Sequence, residues 1–353
     1  MKSNSFQLRP LMPEDCIKLP SLLERVYGIK SDEAYWRWKY IEPPFETMAY
    51  VTQKQDNEIM ALTGFWINEA RIGGRDFPVY QLIDVMGDPN YRGGGAYRPI
   101  LKLVKDMVLN QNKVLYGFTN DVSHALFGKV FKDETIISIK QPSYSLIINP
   151  GDMIKAPDFI KTLIGKVTRG IVQARLSLAG TGKIHVGMTD TIPEEVNQLW
   201  EEVQKDYYGI LKRNSANLKW RFQKAPQGHY QIWLARLNGS LAGYMVTALA
   251  KTPHKTKGFI VDWLTSRQKP QVFNSLLNQA LKWFVQKNTN VVETWFLNTE
   301  DHLVKALKSK LFIRSRRTKP FLMVYKNPAM YHEEFAQADD FFATLGNSDF
   351  RGT

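Results

Sequence analysis

Apolar residues in this chain recur at two spacings, and the two alternate in the same order twice. In the first half, Phe6–Arg9 reads as a short strand. Pro13 opens a helix through about Tyr27, with Leu19, Leu22, Leu23 and Val26 on one face. A second, shorter helix is predicted over roughly Asp32–Lys39. Strands follow at about 47–53, 58–68 and 77–86. After a glycine-rich loop, Tyr97, Ile100, Leu101, Val104 and Val108 keep the three-and-four spacing of a helix over about 96–110. A strand at 114–118, a short helix at 121–128 and strand-like sequence through 135–147 complete the half. The second half predicts strand 184–188, helix 192–205, a short helix around 215–222, and strands near 230–236, 241–250 and 256–264. Helix 271–286, strand 291–297, helix 300–309 and strand 319–326 close it.

The repetition extends to residues. YWRWKYIEPPFETMAYVTQ at 35–53 is answered by NLKWRFQKAPQGHYQIWLAR at 217–236. Trp38 matches Trp220, Lys39 matches Arg221, Tyr40 matches Phe222 and Pro44 matches Pro226, at a constant offset of 182. Each signature leads into an apolar run, a polar turn (KQDNE at 54–58, LNGS at 237–240) and another apolar run, the pattern of a hairpin. This order predicts a duplicated domain: residues 1–148, a bridge at 149–180 with a possible helix over Phe159–Ala174, a second copy at 181–328, and an aromatic, acidic tail at 329–353.

Composition narrows the classes. The chain has 353 residues, 44% of them hydrophobic, enough for two cores. It has no apolar run long enough to span a bilayer, and its first residues lack the apolar core of a secretory leader. The single cysteine, Cys16, rules out an intrachain disulfide framework and reads as a buried helix residue. The expected setting is the cytoplasm. The six histidines are scattered without metal-ligand spacing, so no metal is expected. Net charge is +13, and residues after 180 carry 24 basic against 15 acidic side chains. The basic residues are dispersed and no nucleic-acid-binding module is legible, so nucleic acid is not an expected partner, and the charge favours an anionic one.

The most chemical stretch is DVMGDPNYRGGGAYRPILK at 84–102. Three successive glycines cost folding entropy and pack nothing. They do let consecutive N–H groups point one way, and joined to a helix N-terminus they form a cradle for phosphate. The glycines follow a meander rather than the first strand of an alternating unit, which argues against a dinucleotide-binding fingerprint.

On these features the chain resembles the GCN5-related N-acetyltransferase (GNAT) superfamily. The order strand, two helices, three-stranded meander, glycine loop, helix, strand, helix is similar to that family's. Arg92, Gly93, Gly94 and Gly95 fit its motif of Gln or Arg, two variable residues, Gly, one variable residue and Gly or Ala; Ala96 is the variable residue and Tyr97 stands at the last position, where the family has Gly or Ala. Pro89–Asn90–Tyr91 resembles the family's lead-in, and Asn120 matches the asparagine that starts its next helical segment. The resemblance implies an α/β fold of two tandem GNAT-like domains, each a mixed, largely antiparallel central sheet flanked by helices. It implies acetyl-CoA or another acyl-CoA as co-substrate, with the pyrophosphate on Arg92, Gly93, Gly94, Gly95, Ala96 and Tyr97, and the pantetheine along Val85, Met86 and Gly87, with Asn120 nearby. The activity implied is transfer of the acyl group to a small-molecule or peptide amine by direct attack through a tetrahedral intermediate. Asp84, Asn120 and Glu42, together with Glu46, are the candidate catalytic groups. Tyr207, Tyr208 and Trp263 are further candidates for an acceptor site. The family's tyrosine acid, seven residues beyond the asparagine, is replaced by Phe127, which has no proton to give. In the second copy, TSRQKPQVFNSLLNQALKWF stands where the loop belongs and contains no glycine. It resembles a degenerate domain, with Asn298 and ALKSKLFI at 306–313 as remnants. Tyr97 and Phe127 also leave open a non-catalytic binding or scaffold protein descended from such an enzyme.

Overall fold

A computed structural model describes residues 6–91, 95–131, 135–177, 183–252, 255–297, 301–325 and 341–349. The chain folds into two compact units that cut across its halves. Of the described residues, the first unit takes those up to Lys140, Lys224–Pro226 and the strand residues from Lys319. The second takes Gln141–Gln223, Gln227–Thr318 and the described residues after Asp339.

In the first unit, strands β1 (Gln7–Pro10), β2 (Thr47–Gln53), β3 (Ile59–Ile72) and β4 (Arg75–Gly87) form an antiparallel meander. Strand β5 (Leu115–Phe118) joins β4 in parallel, and the end of β13 (Ile313–Tyr325) closes the sheet antiparallel to β5, in the register Phe321↔Phe118 to Val324↔Leu115. Alternation along β3 sorts its side chains between two helical layers. Ala61 and Phe65 join Ile100, Val104 and Val108 of α3 (Arg98–Leu109) and Phe127 of α4 (Asp121–Val130) in one buried core. Gly64 and Trp66 face the other way, toward α2 (Glu33–Tyr40): Tyr40 lies against Gly64, and the Trp66 indole donates to the Lys39 carbonyl. The helix expected from Pro13 to Tyr27 is divided. A 3-10 turn, Pro13–Ile17, precedes α1 (Leu19–Tyr27), because Pro20 cannot continue a hydrogen-bond ladder begun before it.

The second unit repeats the plan. Its sheet runs β6 (Thr135–Ile147, from Gln141), β12 (Val291–Leu297), β11 (Lys255–Thr265), β10 (Ser240–Thr252), β9 (Tyr230–Leu237), β7 (Ile184–Thr189). The β9–β10 turn carries the positive φ angles of 52° at Asn238 and 85° at Gly239 that its sequence predicts. Helix α8 (Pro270–Gln286) is buried on nearly all sides, and helices α5 (Asp158–Ser177), α6 (Glu195–Val203) and α9 (Asp301–Ser309) complete the unit's long helices. The expected short helix around 215–222 is α7 (Ser215–Leu218) followed by a π turn, Lys219–Gln223. Two strands escaped the sequence reading: β8 (Gly209–Leu211) and β14 (Phe341–Thr344), which pair in parallel, β14 also meeting β12.

The two copies therefore exchange the strands that end each of them in sequence. β6, last in sequence order in the first half, pairs antiparallel with β12 from Ile147↔Val291 to Ser143↔Trp295; β13 takes the corresponding place beside β5.

Glycine marks where α8 meets its sheet. A Cβ on Gly258 would lie 2.5 Å from the ring of Phe284, which is itself fully buried. We expect Gly258→Ala to cost roughly 1–3 kcal/mol by overpacking, seen as a lowered calorimetric melting temperature with unchanged far-ultraviolet circular dichroism at low temperature.

Candidate functional site

Strand β4 is irregular where it approaches the glycine loop. Leu62 pairs with Met86 and Gly64 with Ile83, so Thr63 faces two residues, Asp84 and Val85. Asp84 takes a φ of +48°, a left-handed conformation that Asp tolerates better than most residues. This bulge turns the strand end. The parallel ladder to β5 consists of Tyr80↔Leu115 and Gln81↔Tyr116, leaving Leu82–Gly87 without ladder partners on β5. Gly117 sits just past the last pair, where a Cβ would come within 3.6 Å of Leu82. Behind this divergence is a small apolar pocket lined by Leu82, Gly117 and Thr119, with Phe127 and Phe131 of α4 and Leu322 of β13.

The bulge is anchored from the α2 side. Asp84 Oδ2 lies 2.7 Å from Lys39 Nζ and accepts a hydrogen bond from the Tyr40 hydroxyl at 2.7 Å. Both charged side chains are almost wholly buried, Lys39 at 1% and Asp84 at 2% exposure. The ammonium also lies 5.6–5.8 Å from the ring centroids of Tyr35, Trp36 and Trp66, a cation–π setting. The repeated signature thus contains a buried cation, Lys39, and Tyr40, which bonds the same carboxylate. Their counterparts Trp220, Arg221 and Phe222 are buried too, and Arg221 donates to the carbonyls of Gly346 and Ser348. The second unit has a matching carboxylate. Asp262 on β11 stands at a β10–β11 bulge, paired with buried Arg213 at 3.3 Å and accepting hydrogen bonds from Tyr244, at 2.7 Å, and Thr344.

The lead-in to the loop is pinned by charge. Asp88 accepts from Arg25 Nε at 2.7 Å, and Asn90 and Tyr91 close a 3-10 turn over Pro89–Tyr91. Arg92, Gly93 and Gly94 lie outside the described residues. Gly95 has φ +90°, and a Cβ on it would meet no described atom within 4 Å. The Ala96 carbonyl accepts from Thr52 at 2.8 Å, and Tyr97 caps α3. Helix α3 starts two residues later than its periodicity suggests. Tyr97 packs beside Gly87 and bonds its hydroxyl to Thr63, the residue opposite the bulge. Burial raises its phenol above the ordinary range, so it is held protonated. Met86 is buried, and the Val85 carbonyl accepts from Tyr27 at 3.2 Å.

Asn120 is the N-cap of α4, its side-chain oxygen accepting from Ser123 N at 2.8 Å. Phe127 is core, stacked on Phe131. One turn before it, His124 Nδ1 lies 3.1 Å from Thr119 Oγ1, and its Nε2 lies 3.2 Å from Ser138 Oγ. This chain starts at the pocket wall. Sequence reading missed it because a lone histidine three residues from Phe127 carries no spacing signal. Glu42 and Glu46 are exposed at the entry to β2. Tyr207 is buried with its hydroxyl on the Thr265 carbonyl, and Trp263 is buried among Phe273, Phe296 and Phe342. Asn298 is outside the described residues. Burial pushes the Cys16 thiol up to about 11. Among the described residues, no group of three or more His, Cys, Asp or Glu side chains is placed to hold a metal.

No family model and no curated protein matches the sequence. Solved structures do match the fold. A probable N-acyltransferase from Enterococcus faecalis V583 aligns at a TM-score of 0.63 with 12% identity, over 91% of this chain and 72% of that one. N-myristoyltransferase of Saccharomyces cerevisiae, with bound myristoyl-CoA, aligns at 0.59 with 10% identity, over 92% and 79%. A tandem GNAT protein from the clavulanic acid biosynthesis pathway aligns at 0.57 with 12% identity, over 91% of this chain and 98% of that one. This is the GNAT fold, carried twice in tandem. The expected architecture, a mixed and largely antiparallel sheet flanked by helices in each copy, is the one observed. In GNAT terms, the bulge, divergence and glycine loop all fall at the end of one strand, in the first unit.

The buried pair yields a stability test. Lys39→Met strands the Asp84 charge, and the expected loss is roughly 3–5 kcal/mol, measured by urea unfolding. Adding Asp84→Asn, which retains an acceptor for Tyr40, is expected to recover most of that loss.

Proposed function

We propose that this protein is an acyl-CoA-dependent N-acyltransferase whose first unit holds the donor. The observation that carries the reading is the separation of β4 from β5 directly before a glycine loop that feeds a helix N-terminus. Backbone groups of Val85, Met86 and Gly87 flank that gap, within reach of a pantetheine arm. Gly95 and Ala96, continuing Arg92, Gly93 and Gly94, are placed in sequence to cradle a pyrophosphate, with the open space beside Gly95 leaving room for it. The apolar pocket behind the gap suits a short acyl group or the arm itself. When bound, the thioester supplies an activated carbonyl for direct amine attack through a tetrahedral intermediate.

Asp84 in this reading is structural. Its carboxylate is buried against Lys39 and the Tyr40 hydroxyl, both at 2.7 Å, and is committed to holding the bulge. Its analogue Asp262, in a unit with no glycine at the corresponding loop, supports the same assignment. Asn120 caps α4 and orients its first turn. We assign the proton route to the departing thiolate to Thr119 and His124, the polar chain at the pocket wall, in place of the absent tyrosine. Acceptor deprotonation falls to water or to exposed carboxylates such as Glu42 and Glu46. The second unit, lacking the loop, is a scaffold. Its domain status, and the cytoplasm as the working compartment, belong to the same proposal. The competing reading, a binding protein without turnover, draws on Tyr97 and Phe127.

Calorimetric titration with acetyl-CoA is expected to give saturable, one-site binding, weakened at least about tenfold by the double substitution Arg92→Ala, Gly94→Glu. Absence of binding by the unaltered protein would refute the proposal, and binding without thiol release across a broad amine panel would favour the non-catalytic reading. His124→Phe is expected to lower kcat by about a hundredfold with the donor KM little changed.

A further inference from the structure

Helix α5 is amphipathic the wrong way round for a helix that ends its role at packing. Its 20 residues span about 30 Å. Gly165, Val172 and Leu176 are buried, and Gly165 is pressed against Asn149. The opposite face is also apolar. Phe159, Leu163, Val167 and Ile171 follow one another at four-residue steps and are 53–73% exposed; Ile164 beside them is 39% exposed. At 100° per residue this stripe is centred on the side away from the buried one. Single exposed apolar side chains are ordinary, whereas five on one helical face are not.

The borders of the stripe are basic. Lys166 flanks one edge, and Arg175 and Lys161 the other; with Arg169 the helix carries four cations against one carboxylate, Asp158. Beyond its C-terminal end the positive charge continues. Lys310 Nζ lies 3.4 Å from the Arg175 carbonyl, and burial together with the charges of Lys282 and Arg175 lowers its pKa. Cations gathered this closely are stabilised by an external anion.

We propose that α5 is a membrane-surface helix, lying in the plane of an anionic bilayer with Phe159, Leu163, Val167 and Ile171 in the headgroup–acyl boundary and Lys161, Lys166 and Arg175 on lipid phosphates. An apolar stripe bordered by cations is the pattern that combines partition with charge attraction. A hydrophobic protein groove would fit the stripe and give the flanking cations no task. The helix is too mixed to span the bilayer, and among the described residues no helix is long and apolar enough to do so.

The test is co-sedimentation of the full chain with vesicles of phosphatidylcholine alone, or with about one-third phosphatidylglycerol. Binding to the anionic vesicles is expected at least about tenfold above the neutral ones and is expected to weaken with salt. Leu163→Glu with Val167→Glu is expected to return binding to background. Lys166→Glu with Arg175→Glu is expected to reduce it about tenfold. In Leu163→Cys, labelled with a polarity-sensitive dye while Cys16 stays buried, emission is expected to shift to the blue on anionic vesicles; this readout requires no loss of function. No vesicle binding, binding indifferent to the Leu163 and Val167 substitutions, or unshifted emission overturns the proposal. A concentration-dependent dimer that those substitutions abolish, without vesicle binding, overturns it in favour of a second copy as the occupant.

Discussion

The Asp84–Lys39 pair is the constraint around which the first unit is arranged. It fixes a left-handed residue inside a strand, at the bulge of β4 against β3 just past the last β4–β5 pair. A buried charge pair contributes little net stability compared with well-packed apolar residues, but breaking it is costly. Its value here is geometric: an apolar residue at position 84 would remove the anchor that ties the bulge to α2. The aromatic housing supplied by Tyr35, Trp36 and Trp66 offsets part of the desolvation of Lys39.

The second unit shows what that arrangement is without a glycine-rich segment after it. Asp262 again sits at a bulge, again with a buried cation and a tyrosine hydroxyl, although Arg213 and Tyr244 come from different elements than Lys39 and Tyr40. Burial, with the neighbouring carboxylate, raises the Tyr244 phenol far above its ordinary range, so it serves as a fixed donor. The duplicated feature is therefore the scaffold, and the glycine loop is the difference. Exchange of β6 and β13 makes the halves interdependent: each sheet needs a strand from the other half of the chain to cover the edge that β5 or β12 would otherwise expose. The apolar pocket of the first unit thus takes part of its wall, Leu322, from near the end of the sequence.

Much of the fold was legible in the sequence. Strands 47–53 and 291–297 fall where their alternation places them, and α8 begins one residue from its expected start. The repeat of Trp38, Lys39 and Tyr40 identified the duplication, and the loss of glycine distinguished the copies. Boundaries failed where a local breaker acted, as at Pro20, or where backbone pairing alone defined a strand, as in β8 and β14. The glycine run was legible as sequence, though Arg92, Gly93 and Gly94 lie outside the described residues; the pairing of Asp84 with Lys39 was not, and the chain from Thr119 through His124 to Ser138 joins residues with no common period that only packing brings together.

What the sequence determined by itself was periodic and local: which segments are helix or strand, that the plan occurs twice, and where glycine frees the backbone. Those properties follow from side-chain spacing and backbone sterics, which act over a few residues. Tertiary structure decided which strands are exchanged, whether Asp84 is free or paired, and which face of α5 is left uncovered. These depend on contacts between residues far apart in sequence, whose partners are chosen by burial and charge compensation rather than by any pattern along the chain.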